Sequence, residues 1–214
     1  MTTRPLYFKA LELGPMQNVI YLLGDPQTRE AAVVDPGWEV LTILNTLEQD
    51  GYRLTRVFVT HAHFDHVMGL GALLNAVDVP VSVHEDEAPA LDVDPSNLKP
   101  VAHGEVVHVG SIPVTLLHTP GHTPGSQCLL VEGRLLSGDT LFIRGCGRCD
   151  LPGGDPKALY HSLANRLKPL DDQTLVHPGH HYAEVPSSTL AEEKRDNPFL
   201  RVGTFEAFRG LIGL

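Results

Sequence analysis

The chain has 214 residues, 42% of them apolar and 20% charged, with 20 glycines and 17 prolines, a profile that excludes a disordered chain and fits a turn-rich globular protein with one well-buried core. Its formal net charge of -10 argues against nucleic acid and anionic membranes as partners, because both are held by clustered lysine and arginine. No apolar run reaches the length of a membrane span, the first residues lack the apolar centre of a secretion signal, and Cys128, Cys146 and Cys149 are too few for a disulfide framework; the expectation is one domain over residues 1–214, located in the cytoplasm.

Short β-favouring runs open the chain at 6–8, 19–23 and 31–34, separated by Gly14-Pro15 and Gly24-Asp25-Pro26, which reads as an antiparallel start. Val40, Leu41, Ile43, Leu44 and Leu47 recur at helical spacing before Asp50-Gly51, so the pattern predicts a helix over 38–49. A strand over 57–59 then runs into Thr60-His61-Ala62-His63-Phe64-Asp65-His66, read as a loop. Beyond it, Val67, Leu70, Leu73, Leu74 and Val77 predict a second helix, and 79–83 a strand. Further strands are expected at 106–109, 112–117, 127–131 and 134–136, with Glu132-Gly133 as a hairpin turn. A helix over 156–167 and a strand over 173–177 follow. Strands and helices interleave around one core without a linker, which implies sheets covered by helices.

Polar clusters follow apolar strands at four places: residues 61–66, His118-Thr119-Pro120-Gly121-His122, Ser137-Gly138-Asp139-Thr140, and His177-Pro178-Gly179-His180-His181. Loops carried on rigid strands are where functional side chains concentrate. Imidazole nitrogen and carboxylate oxygen are the usual ligands of a hydrolytic metal such as zinc, and two ions a few Å apart need a bridging group. Turned suitably, the first loop could aim His61 and His63 at one ion and Asp65 and His66 at another. His122 would complete the first set, His180 the second, and Asp139 could bridge them. Asp65 also stands where a helix N-cap would, just ahead of Val67.

These segments resemble the metallo-β-lactamase superfamily: T-H-x-H-x-D-H at residues 60–66, then Thr119-Pro120-Gly121-His122-Thr123-Pro124-Gly125, Ser137-Gly138-Asp139-Thr140-Leu141-Phe142 and Pro178-Gly179-His180. The resemblance implies an α/β fold, a four-layer αββα sandwich, with metal ligands His61, His63, Asp65, His66, His122, Asp139 and His180. It also gives Asp65 a catalytic part, in contact with the second ion and the attacking water. Two divalent metals are implied, zinc first, with iron and manganese as the other candidates. The segments GDTLFIRGCGR and VPSSTLAEEKRDNPFLR are similar to those of the glyoxalase II branch, the hydroxyacylglutathione hydrolases. That likeness implies a cytoplasmic thioester hydrolase acting on a small thiol-derived, glutathione-linked substrate, with Arg148 and Arg201 as substrate-binding candidates. The first of these segments, continued as CGRCD and ALYHSL, also resembles the persulfide dioxygenases, which implies the alternative of a single Fe(II) at His61, His122 and Asp139.

Three features stand apart from the family pattern. Cys149 occupies a position where persulfide dioxygenases usually carry threonine, and a lone C-x-x-C at Cys146 and Cys149 is weak evidence for thiol or zinc chemistry. Arg148 could meet a substrate carboxylate or pair with a neighbouring acid. The full set of basic residues that clamps glutathione in glyoxalase II is not visible. Among the remaining histidines, His118 and His181 are candidates for orienting the ligands through their other ring nitrogen, while His84, His103, His108 and His161 read as solvated or structural. A binding protein without activity would lack a ligand, and none is missing. The Met16-Gln17-Asn18 and Pro152-Gly153-Gly154-Asp155-Pro156 stretches look more like hydrolase relatives, which favours hydrolysis.

Overall fold

A computed structural model describes residues 5–213. The first half runs β1 (Tyr7–Leu13), β2 (Asn18–Gly24), β3 (Glu30–Val34), α1 (Val40–Gln49), β4 (Arg53–Phe58), α2 (Phe64–Val67), α3 (Leu70–Ala76), β5 (Val81–His84) and β6 (Leu98–Val101). Its strands form one sheet in the order β1-β2-β3-β4-β5-β6. The β1, β2 and β3 pairs are antiparallel, as the opening runs imply, and β3 to β6 are parallel.

The second half runs β7 (Val106–Val109), β8 (Ile112–His118), β9 (Gln127–Val131), β10 (Arg134–Gly138), β11 (Leu141–Phe142), β12 (Gly145–Cys146), α4 (Pro156–His161), β13 (Leu175–Pro178), β14 (Ser188–Thr189), α5 (Leu190–Asp196), α6 (Pro198–Arg201) and α7 (Phe205–Ile212). A second sheet has the order β14-β13-β10-β9-β8-β7, while β11 and β12 form a small separate ribbon.

Alternation along each strand builds the layers. In β2, Tyr21 and Leu23 face the other sheet and join Ala32, Val34, Phe58, Val114, Leu116 and Leu129 in the central core. Their neighbours Ile20 and Leu22 face outward onto Ile43, Leu47, Leu70 and Leu73 of α1 and α3. The outer face of the second sheet, with Leu135 and Val176, is covered by Leu159, Leu190, Leu200 and Phe208 of α4 to α7. Strands buried on both faces read as unbroken apolar runs, which is why 19–23 and 31–34 stood out in the sequence. The result is the expected αββα sandwich.

Local chemistry places the helix boundaries. Asp155 starts α4 by accepting from the backbone N–H of Lys157 (2.8 Å) and Ala158 (3.0 Å), with Pro156 at the first helical position. The helix expected over 156–167 widens at Ser162–Leu167 into a π-type segment. The loop expected at residues 60–66 is partly helical, since Phe64–Val67 makes one turn whose N-cap is His63, in extended conformation. Asp65 therefore lies inside that turn and caps nothing. The α3 cap is Gly69, with no side-chain bond.

Candidate metal centre

The loops that follow β4, β8, β10 and β13 meet at one rim of the sandwich. His61, Asp65, His66, His122 and His180 are buried, and Asp139 and His63 are partly so. In the first group, His61 Nε2 lies 3.1 Å and His122 Nε2 2.9 Å from His63 Nδ1, with an Asp139 oxygen 3.5 Å from His122 Nε2. In the second, His66 Nε2 is 3.2 Å from His180 Nε2, and Asp65 Oδ2 is 3.5 Å from the former and 3.4 Å from the latter. Asp139 stands between the groups: its Oδ1 is 3.4 Å from His66 Nε2 and its Oδ2 3.4 Å from His180 Nε2.

Proton bookkeeping shows what this arrangement can hold. His61 Nδ1 donates to Thr60 Oγ1 (3.1 Å), His66 Nδ1 to Asp35 Oδ2 (3.0 Å), His122 Nδ1 to the Arg148 carbonyl (2.7 Å) and His180 Nδ1 to the Met16 carbonyl (2.9 Å). With those protons on the outer nitrogens, each inner Nε2 is left to offer a lone pair or to hold a second proton. Inner nitrogens facing one another at hydrogen-bond distance need a proton or a metal cation between them. Asp139 Oδ1 is buried without a hydrogen-bond partner, a costly state that a cation would also relieve. The donor set of imidazoles and carboxylates, with Asp139 between the two groups, therefore fits two divalent cations.

Electrostatics agree in sign. Burial, and then the neighbouring His66, push His61 well below the usual histidine range. Burial would lower His66 as well, but Asp139 and the hydrogen bond to Asp35 outweigh it and raise His66 to about 9. Asp139 is held well below the usual carboxylate range by His66, His180 and His61 despite its burial. A cation entering here competes with a proton.

Residues that sequence reasoning passed over hold the donors in place. Asp35 accepts from the Thr60 N–H (2.7 Å), from Thr60 Oγ1 (2.6 Å) and from His66 Nδ1, so one carboxylate steers a histidine of each group. Asn18 donates to Asp65 Oδ2 (2.9 Å) and is itself fixed by Trp38 Nε1 (2.9 Å). Glu87, buried, accepts from the backbone N–H of Ala62 (2.7 Å) and of Gly125 (2.8 Å), tying the first histidine loop to the one that carries His122. The signal for Asp35 was present: β3 runs directly into Asp35-Pro36-Gly37, as the other strands run into their polar clusters. Gly179 is required by close approach, since a Cβ there would lie 2.5 Å from Asp139 Oδ1 and 3.0 Å from His66 Cε1.

The other candidates have these surroundings. His118 does not orient a donor: it stacks on His84 with ring centroids 3.7 Å apart and bonds to the Pro124 carbonyl. His181 pairs with Glu12 at 2.8 Å. His177 packs against Phe8 and Tyr21. Arg148 Nε and Nη2 grip Asp150 at 2.9 and 3.0 Å. Arg201 is exposed at the end of α6 and does not line the cavity above the donors, whereas Arg148 does. Cys146 and Cys149 are free thiols, and burial raises both above the usual thiol range, which disfavours nucleophilic use.

Comparison with known proteins supplies independent findings. The family model described as the metallo-beta-lactamase superfamily matches residues 13–180. The hydroxyacylglutathione hydrolase of Nitrosococcus oceani is 34% identical over 188 residues, covering 85% of this chain and 68% of that protein. The mitochondrial persulfide dioxygenase ETHE1 of Mus musculus is 33% identical over 203 residues, covering 91% of this chain and 76% of that protein. The crystal structure of TTHA1623 in a di-iron-bound form superposes with a TM-score of 0.78 at 36% identity, covering 90% of this chain and 100% of that one. No helix among the described residues is long and apolar enough to cross a membrane.

Proposed function

Because this chain belongs to the metallo-beta-lactamase superfamily, we propose that it is a metal-dependent hydrolase of thioesters. His61, His63, His122 and Asp139 would hold one divalent ion, Asp65, His66, His180 and Asp139 a second, with zinc the first candidate. When bound, such ions bring the pKa of a coordinated water toward neutrality and polarise a carbonyl. The observation that carries the reading is the pair of donor groups sharing Asp139, with the ligand atoms of His61, His63 and His122 within 4.8 Å of one another, and those of Asp65, His66 and His180 likewise.

The protein's own residues have defined tasks in this reaction. Asp65, whose Oδ2 accepts from Asn18, would orient the attacking water and accept its proton. The Thr60, Asp35, Arg148 and Met16 acceptors take the outer ring protons and aim the inner nitrogens at the site. Water oxygen bonds to the acyl carbon, the carbon–sulfur bond breaks, and the sulfur leaves as a thiolate with the bonding pair and takes up the proton that Asp65 accepted. No serine or cysteine nucleophile is needed.

The likeness to a persulfide dioxygenase favours a second reading, a single iron at His61, His122 and Asp139. It gives no metal to His66 and His180, whose Nε2 atoms stand 3.2 Å apart. Assay of the purified protein under anaerobic conditions with thioesters, beside oxygen uptake with glutathione persulfide, separates the two. Anaerobic thioester cleavage supports hydrolysis; oxygen uptake with no cleavage overturns it.

A further inference from the structure

The walls of the cavity above the donors point to the kind of thioester it takes, an inference that rests on the hydrolase reading. The cavity measures about 420 Å³, within the range of small-ligand sites. Outside the donor groups and Arg148, its lining is Met16, Phe64, Phe142, Leu151, Pro152 and Tyr182. Three of these leave large apolar surface in water at the mouth, with Met16 38%, Phe64 56% and Tyr182 57% exposed. Tyr182 stacks on His180 with centroids 4.8 Å apart and meets Phe142 edge-on at 5.4 Å, which ties this apolar surface to the donors.

Charge is arranged differently. Among the described residues that line the cavity, Arg148 carries the one permanent positive charge, and its guanidinium is engaged by both carboxylate oxygens of Asp150. That pair is exposed and contributes little to stability, yet in it Asp150 offsets the charge that Arg148 would offer an anion. The chain as a whole carries a formal charge of -10, which repels an anionic carrier. Glutathione presents two carboxylates, and this entrance offers no second cation for them.

We infer that the site selects thioesters with an apolar acyl group on an uncharged thiol carrier and discriminates against glutathione thioesters. The apolar walls bury the acyl chain, and each added methylene strengthens binding about fourfold until the cavity is filled. Hydrolysis of such a substrate consumes one water and yields a carboxylic acid and a neutral thiol, with no other co-reactant.

Two measurements on the metal-loaded protein test this. Calorimetric binding of thioethers, which cannot be cleaved, reads the inference without chemistry: S-hexyl-N-acetylcysteamine should bind at least tenfold more tightly than S-hexylglutathione. Anaerobic hydrolysis of acetyl, butyryl and hexanoyl N-acetylcysteamine should show kcat/KM rising with chain length, and Phe64→Ser should flatten that rise. Asp150→Ala, which frees Arg148, should shift both the binding and the kcat/KM ratio toward the glutathione compounds by about tenfold. Equal or tighter binding of S-hexylglutathione overturns the inference even if thioesters are cleaved. Tight binding of the neutral thioether with no thioester cleaved upholds the selectivity and overturns the hydrolase reading.

Discussion

Asp35→Asn is the sharpest perturbation of the centre, because it alters no donor atom and changes the support of both groups. In the native chain Oδ1 accepts from the Thr60 N–H, while Oδ2 accepts from Thr60 Oγ1 and His66 Nδ1 at 2.6 and 3.0 Å. An amide retains one accepting oxygen. Its NH₂ group, placed at Oδ2, would face two donors, each leaving a loss of about 1–3 kcal/mol when buried and unpaired. A destabilisation of roughly 3 kcal/mol is expected, less if the Thr60 hydroxyl rotates to accept. His66 loses the acceptor that holds its proton outward, and Thr60, which accepts from His61, loses its anchor. Disturbing such partners typically weakens metal binding by about 10–100-fold. Competition against a fluorescent zinc chelator measures this, with urea unfolding of the metal-free protein in parallel. An Asp35→Asn protein that binds two ions within twofold of the wild-type affinity would refute the assigned role.

Gly179→Ala should abolish binding at the His66 and His180 group, since the added methyl collides with Asp139 Oδ1; an unchanged far-ultraviolet spectrum with metal content reduced to one ion or fewer is the expected result. Glu87→Gln can satisfy one of the two backbone donors of Ala62 and Gly125, and metal dissociation measured by chelator chase should accelerate about tenfold. His177, whose burial and nearby Arg134 lower it from 6.5 to about 4, makes stability depend on pH. The unfolded state binds the proton more tightly, so this contribution is fully present above pH 6.5 and lost as pH falls through 4, by about 3 kcal/mol in all. His177→Phe should reduce that loss in urea midpoints compared at pH 7 and 4. Glu193, fully buried, accepts from the Arg144 N–H, Ser188 Oγ and Asn197 Nδ2; Glu193→Ala should cost roughly 3 kcal/mol and show as a lower thermal midpoint.

The donors were legible because each stands in a short polar cluster directly behind an apolar strand, and because the spacing of His61, His63, Asp65 and His66 leaves few other uses for so many imidazoles. The two sheets were legible from doubly buried runs such as 19–23. What escaped notice depended on distance. Asp35 and Glu87 act as single carboxylates on backbone and side-chain donors 25 to 38 residues away; the place of Asp35 directly behind β3 is a local signal, but the partners of neither are encoded nearby. The N-cap reading of Asp65 failed because α2 begins one turn earlier, at an extended His63 without a capping side chain. His118 and His181 looked suited to orient ligands by proximity in sequence, but their partners are His84, Pro124 and Glu12. The strand Leu98–Val101 is short, carries Pro100 and lies at a sheet edge, where a weak apolar pattern suffices.

Two ions per chain, sharing Asp139, is the claim on which the chemistry rests. Titration of the metal-free protein with cobalt(II), followed by absorption and by elemental analysis after gel filtration, tests it most directly. Two equivalents should bind, Asp139→Ala should weaken both, and His180→Ala should leave one. Saturation of the wild type at one equivalent, with His66→Ala and His180→Ala indistinguishable from it, would contradict the account.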